Sequence, residues 1–243
     1  VRVLLVSERP LGDAVVLDGA GRTLTRLWAP ESGPPYMRLY EARASRMPGQ
    51  STYRLSAADG RVLACASAPL ASASALRTAP EAPASGIWKI RRPWTDTWER
   101  IYSAWIAYLF RPLPDQPAGW RPLHQVLRNP VRNFLYNRHG WQEDDRRGDA
   151  RVVAVADCGD TPYQLRAYFA WKHGLPFRFR RCTRGTSLRG PRCPVARDNR
   201  YAGFDHIRHP VKRFNAFIRR GLAWLVHSGT TRTLPEDERS DFY

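Results

Sequence analysis

The sequence predicts an α+β protein: a small β-rich N-terminal module, a linker, and a larger C-terminal domain of mixed helices and strands. Three observations predict it. Residues 1–67 hold short alternating apolar runs separated by Gly-containing turns. Residues 68–86 are rich in Ala, Ser and Pro and lack any apolar period. From Ile87, across residues 87–243, apolar residues recur at helical spacing between β-like runs. With 243 residues, 43% hydrophobic and 12% aromatic, the chain is long enough to bury a sizeable core and too apolar to be disordered throughout.

In the first module Ala14 to Leu17 and Thr23 to Trp28 flank Asp18-Gly19-Ala20-Gly21, which predicts a hairpin. Tyr53 to Ser56 and Arg61 to Cys65 flank Ala58-Asp59-Gly60 and predict another. Both share a loose Leu, turn, Gly-Arg-x-Leu pattern, and Met37 to Ala44 supplies a further strand between them. A meander or small sandwich of this kind fits a structural or docking role.

In the second domain Asp96 and Glu99 resemble a capping box, and Trp98, Ile101, Tyr102, Trp105, Ile106 and Leu109 follow the helical period to about Phe110. A second helical stretch carries Leu123, Val126, Leu127, Val131, Phe134 and Leu135, interrupted at Pro130. Trp141 to Gly148 is a polar loop, and Arg151 to Ala156 is β-like. A third helix stops at Gly174, and Phe177-Arg178-Phe179-Arg180 alternates as a strand. A fourth starts at Pro210 with Val211, Phe214, Phe217, Ile218, Leu222 and Leu225 on one face, and Lys212, Arg213, Arg219 and Arg220 away from it.

Charge narrows the partners. Lys and Arg number 39 against 22 Asp and Glu, a net +17, and only Lys89, Lys172 and Lys212 are lysines. Such a surface attracts polyanions. Arg178, Arg180, Arg181, Arg184, Arg189 and Arg192 lie close together in sequence, with Asp198 the one opposing charge up to Arg200. Beside a hydrolytic cleft they would draw an acidic polymer or peptide. Nucleic acid is the rival, disfavoured because no RNP motif, finger spacing or basic zipper is present. An ordinary solvated arginine face is the plainest alternative. No run is long enough to cross a bilayer as a helix. Trp94, Trp98, Trp105, Trp120 and Trp141 suggest a sugar platform, but Trp98 and Trp105 share the helical stripe, so core packing explains those two better.

Four cysteines are too few for a disulfide scaffold. Cys182 and Cys193 either form a disulfide in an exported protein or stay as separate thiols, and Cys65 belongs to a strand core. No Cys-x-x-Cys pair exists and zinc would need two more ligands, so no metal site is expected. Cys158 is the most informative residue. It stands in Asp157-Cys158-Gly159-Asp160-Thr161-Pro162-Tyr163, between the β-like run and the third helix. Backbone N–H groups at a helix N-terminus stabilise a thiolate and can hold an acyl-transfer oxyanion. The helix begins either with Asp157 as N-cap, which puts Pro162 in the second turn, or with Thr161 as N-cap and Pro162 at the first position. The plain alternative is a small residue buried at a strand-to-helix junction.

Asp157-Cys158-Gly159, a helix, then Gly174-Leu175-Pro176-x-Arg178 resembles the papain-like cysteine hydrolases, in their NlpC-type cell-wall endopeptidase and transglutaminase-like branches. The resemblance covers residues 155–180, and Gly159 and Asp160 stand where the NlpC-type pattern has Ser and Gly. It implies Cys158 as nucleophile, a Gly159 backbone N–H in the oxyanion hole, and a histidine base on a later strand. It further implies amide cleavage through a thioester without a cofactor, on peptidoglycan peptides in the cell envelope or periplasm. No histidine lies on an evident strand: His173 is at the far end of the helix, His206 and His209 precede Pro210, and His227 suits a helix C-terminus. Because Val1 is not Met and the chain stops at the apolar pair Phe242-Tyr243, the expectation is a fragment whose base lies beyond Tyr243, with His206 or His209 as substitutes. The rival reading is a non-catalytic, polyanion-binding protein on the same fold.

Overall fold

A computed structural model describes residues 2–30, 33–34, 36–41, 49–70, 79–113, 122–145, 150–183, 188–189 and 192–226. The chain divides into two compact units, Val1–Leu76 and Arg77–Tyr243, with both strands and helices, an α+β protein. Arg184, His227, Trp120 and the stretch from Pro235 to Tyr243, on which the sequence reading also drew, lie outside the described residues.

Among the described residues the first unit has six strands: β1 (Arg2–Ser7), β2 (Val15–Asp18), β3 (Thr25–Trp28), β4 (Tyr36–Glu41), β5 (Gly49–Ser56) and β6 (Val62–Leu70). They form two antiparallel sheets of order β1-β4-β3 and β2-β5-β6. The second expected hairpin is present as β5–β6, turning at Gly60 with φ 82°. The first is only partly one. Asp18 Oδ1 accepts the N–H groups of Ala20 and Arg22, and a single bridge joins Leu17 to Thr23. β3 then leaves β2 and pairs with β4. The cause is burial: Leu24, at the crossing, is enclosed with Val16, Tyr40 and Tyr53 in a core drawing on strands of both sheets.

The segment 68–86 is not a free linker at either end. β6 continues to Leu70, while Ala82 N–H donates to Arg208 O (2.7 Å) and Gly86 N–H to the Asp205 carboxylate (2.9 Å).

The second unit contains α1 (Asp96–Leu109), α2 (His124–Leu127), α3 (Thr161–His173), β7 (Arg178–Arg181), β8 (Val195–Asp198) and α4 (Pro210–Ala216), which runs on into a π-helical turn Phe217–Leu222. Its centre is α3, buried from Tyr163 to His173, polar residues included. The helix is therefore enclosed on all sides rather than amphipathic, because α1 and α4 both pack on it. Trp105 of α1 stacks on Tyr168 at 5.6 Å, and Trp171 on Phe214 of α4 at 4.3 Å. Gly174, at φ 65°, ends α3: Leu175 N–H returns to Ala170 O and Gly174 N–H to Trp171 O.

Four local expectations are corrected. Glu99 does not cap α1; it accepts Trp94 Nε1–H (2.6 Å) and pairs with Arg166 (2.7 Å). The second helix shrinks to four residues, because Asn129 and Asn133 turn the chain with their side chains: Asn129 Oδ1 accepts Val131 N–H and Asn133 Oδ1 accepts Leu135 N–H. Arg151 to Ala156 is extended but joins no sheet. Asn215 binds both Arg151 O and Val153 N–H, Arg128 binds Val152 O, and His124 N–H binds Ala154 O, which serves the backbone without a strand neighbour. Arg213 is buried, donating to Pro83 O, Gly86 O and Asp205 O at 2.7 Å each and to Ile207 O. Among the described residues the β7–β8 hairpin is the second unit's sheet.

Candidate active site at the head of helix α3

Cys158 lies in the turn before α3, held by Asp157. The Asp157 Oδ1 accepts the N–H of Gly159 (2.7 Å) and of Asp160 (2.9 Å), while its carbonyl accepts Thr161 N–H and the Thr161 hydroxyl. Asp160 then takes the N-cap position, and Pro162 falls in the first turn, where no intrahelical N–H is needed. Neither proposed N-cap is the observed one, though Cys158 sits in the pre-helical turn that the Thr161 alternative places it in.

The thiol is exposed and free, as is that of Cys65, which lies on β6 as expected but faces solvent instead of a strand core. Cys158 lines an open, mostly apolar groove of about 630 Å³ with Tyr102, Ser103, Ile106 and Ala107 of α1 and Thr161, Pro162 and Leu165 of α3. Cys158 is thus not a sealed core residue. Two expectations for the site change. Gly159 N–H is spent on the Asp157 carboxylate, so it is not an idle oxyanion donor. Among the described residues no imidazole lines the groove. His209 caps α4, its Nδ1 accepting Val211 N–H (3.2 Å), and His206 is exposed beyond the 3₁₀ turn Ala202–Phe204.

Burial and the neighbouring Asp157 push the Asp160 carboxyl up to about 6. The two enclosed imidazoles go the other way. His139, stacked on Trp141 at 4.3 Å, is lowered to about 3, first by burial and then by Lys172. His173, 4.6 Å from both Trp98 and Phe169, is lowered to about 2 by burial and then by Arg138 and Arg92.

Of the arginines expected to bind a polyanion, Arg178, Arg181, Arg189 and Arg192 are exposed and Arg180 is half-buried. Arg178 stands opposite Asp198 across the hairpin. A Cys182–Cys193 disulfide closes it, with Cα atoms 4.0 Å apart. Among the described residues no group of three His, Cys, Asp or Glu could hold a metal, and no helix is long and apolar enough to cross a membrane.

Sequence reasoning missed the buried charge cluster at the other end of α3. Lys172 Nζ lies 2.5 Å from both Glu143 Oε1 and Asp144 Oδ2, all three side chains fully enclosed. Burial pushes the Glu143 carboxyl up, but the charge and hydrogen bond of Lys172 outweigh it and hold it below the usual range. For Asp144 burial wins, helped by Glu143. The available signal was a lysine directly after the apolar run Tyr168-Phe169-Ala170-Trp171 in a chain with only three lysines.

No protein-family model matches the chain, and neither the curated proteins nor the solved structures hold a match.

Proposed function

We propose that the second unit is a cysteine hydrolase on a papain-like plan, cleaving amide bonds of peptides in acidic polymers such as peptidoglycan, in the cell envelope. The observation that carries this reading is a free, exposed thiol at the head of a helix buried from Tyr163 onward, opening onto an apolar groove. The Cys158 thiolate adds to the amide carbonyl; the C–N bond breaks, the amine leaves with a proton, and water then hydrolyses the thioester. The base is an imidazole outside the described residues. Iodoacetamide labelling across pH tests the proposal, with exposed Cys65 as internal reference. Selective alkylation of Cys158 below pH 7 supports an activated nucleophile; equal rates at the two thiols overturn it.

A second reading is a non-catalytic polyanion binder, favoured by the exposed arginines of the β7–β8 hairpin and by the groove's lack of an imidazole among the described residues. Loss of nothing but binding on Arg178→Gln/Arg181→Gln, with no Cys158-dependent turnover, would select it.

A further inference from the structure

The last helical stretch carries a second groove that the hydrolase reading does not use. Its apolar lining is Val155, Ile207, Ala216 and Ala223. Its charged groups are Lys212 of α4 and Arg219 and Arg220 of the π-helical turn, all exposed. Trp224 borders it with an indole 83% exposed. Among the described residues no carboxylate lines it, and the one amide among them, Asn215, is already committed: Oδ1 accepts Val153 N–H (2.9 Å) and Nδ2 donates to Arg151 O (2.8 Å). The side chains left to meet a ligand's polar groups are therefore cationic donors. Arg220 is steadied over the Phe204 ring at 5.4 Å.

We propose that this groove binds a carboxylate-bearing polysaccharide chain. Carboxylates bring the charged acceptors that guanidinium and ammonium groups match, and the C–H face of a sugar ring covers an exposed indole. An extended peptide suits it less, because its backbone N–H groups would face a lining without free side-chain acceptors. A nucleic acid strand would also offer acceptors and a stacking face. The Cys182–Cys193 disulfide favours the polysaccharide, because such bonds persist in oxidising compartments outside the cytosol. The inference is independent of the chemistry at Cys158.

Isothermal titration of the full chain with a decameric polygalacturonate, against a neutral galactan of equal length, tests it. The expected result is saturable binding of the uronate alone, weakened about tenfold or more by Trp224→Ala and likewise by Arg219→Gln/Arg220→Gln, with unchanged thermal melting because these side chains are exposed. Arg178→Gln/Arg181→Gln on the β7–β8 hairpin leaves the affinity unchanged. No uronate binding, undiminished binding by Trp224→Ala, loss confined to the hairpin variant, or tighter binding of single-stranded DNA of equal charge would each overturn the proposal.

Discussion

At its C-terminal end α3 buries Lys172 and His173 among carboxylates and rings, whereas at its N-terminal end Cys158 and Asp157 stand in solvent. One helix thus has an anchored end and an open end. The anchored end carries a fully enclosed ion cluster, two aromatic contacts to His173 and the Gly174 stop. The open end is held by short-range bonds from Asp157. The difference teaches how a thiol can be both accessible and positioned: the ion cluster that anchors the helix sits at Lys172, fourteen residues along the chain from Cys158. Stability should therefore respond to changes at the far end, and chemistry to changes at the near one.

The largest expected effect is at the anchor. Lys172→Met leaves Glu143 and Asp144 enclosed without a cation and should cost about 3–5 kcal/mol in urea unfolding. The next comes from pH. His139 and His173 titrate at about 3 and about 2 when folded, against an ordinary 6.5, so the unfolded chain binds more protons below that value. Their neutral burial is tolerated above pH 6.5, and stability falls as pH drops below it, by up to about 1.4 kcal/mol per pH unit for each imidazole. Urea midpoints at pH 7, 6 and 5 check this, and His173→Phe should roughly halve the slope.

Asn133→Ala removes the acceptor of Trp105 Nε1–H (2.8 Å) and the donor to Leu127 O and the Tyr168 hydroxyl. About 1–3 kcal/mol should be lost. At the open end the sign reverses. Asp160 titrates at about 6 when folded, above its ordinary 3.8, so its ionised form weakens the fold as pH rises through that window. Asp160→Asn should gain about 1 kcal/mol at pH 7, and that gain should vanish near pH 4. Cys158→Ala should leave stability within about 0.5 kcal/mol while abolishing any amide hydrolysis. A large stability loss in Cys158→Ala would erase the distinction between the two ends.

Legibility in the sequence followed the range of the interactions. The α1 stripe from Trp98 to Leu109, the Gly174 stop, the Asp59-Gly60 turn and the place of Cys158 just ahead of α3 were all readable, because each depends on residues within a few positions. The extended Arg151–Ala156 stretch was misjudged as β-like because what serves its backbone is Asn215, more than sixty residues on. Arg213 and Lys172 look like surface charges in a basic chain; only their distant carbonyl and carboxylate partners make them core residues.

By itself the sequence determined helical periods, the Gly60 turn and the Gly174 stop, and with them an α+β order of elements and a cysteine at a helix head. Tertiary structure alone decided that β3 changes sheet, that α3 is buried from Tyr163 to His173, and which imidazoles are sealed away. The reason is that local backbone preferences act over three or four residues. Burial and charge pairing depend on which distant segments arrive at the same place.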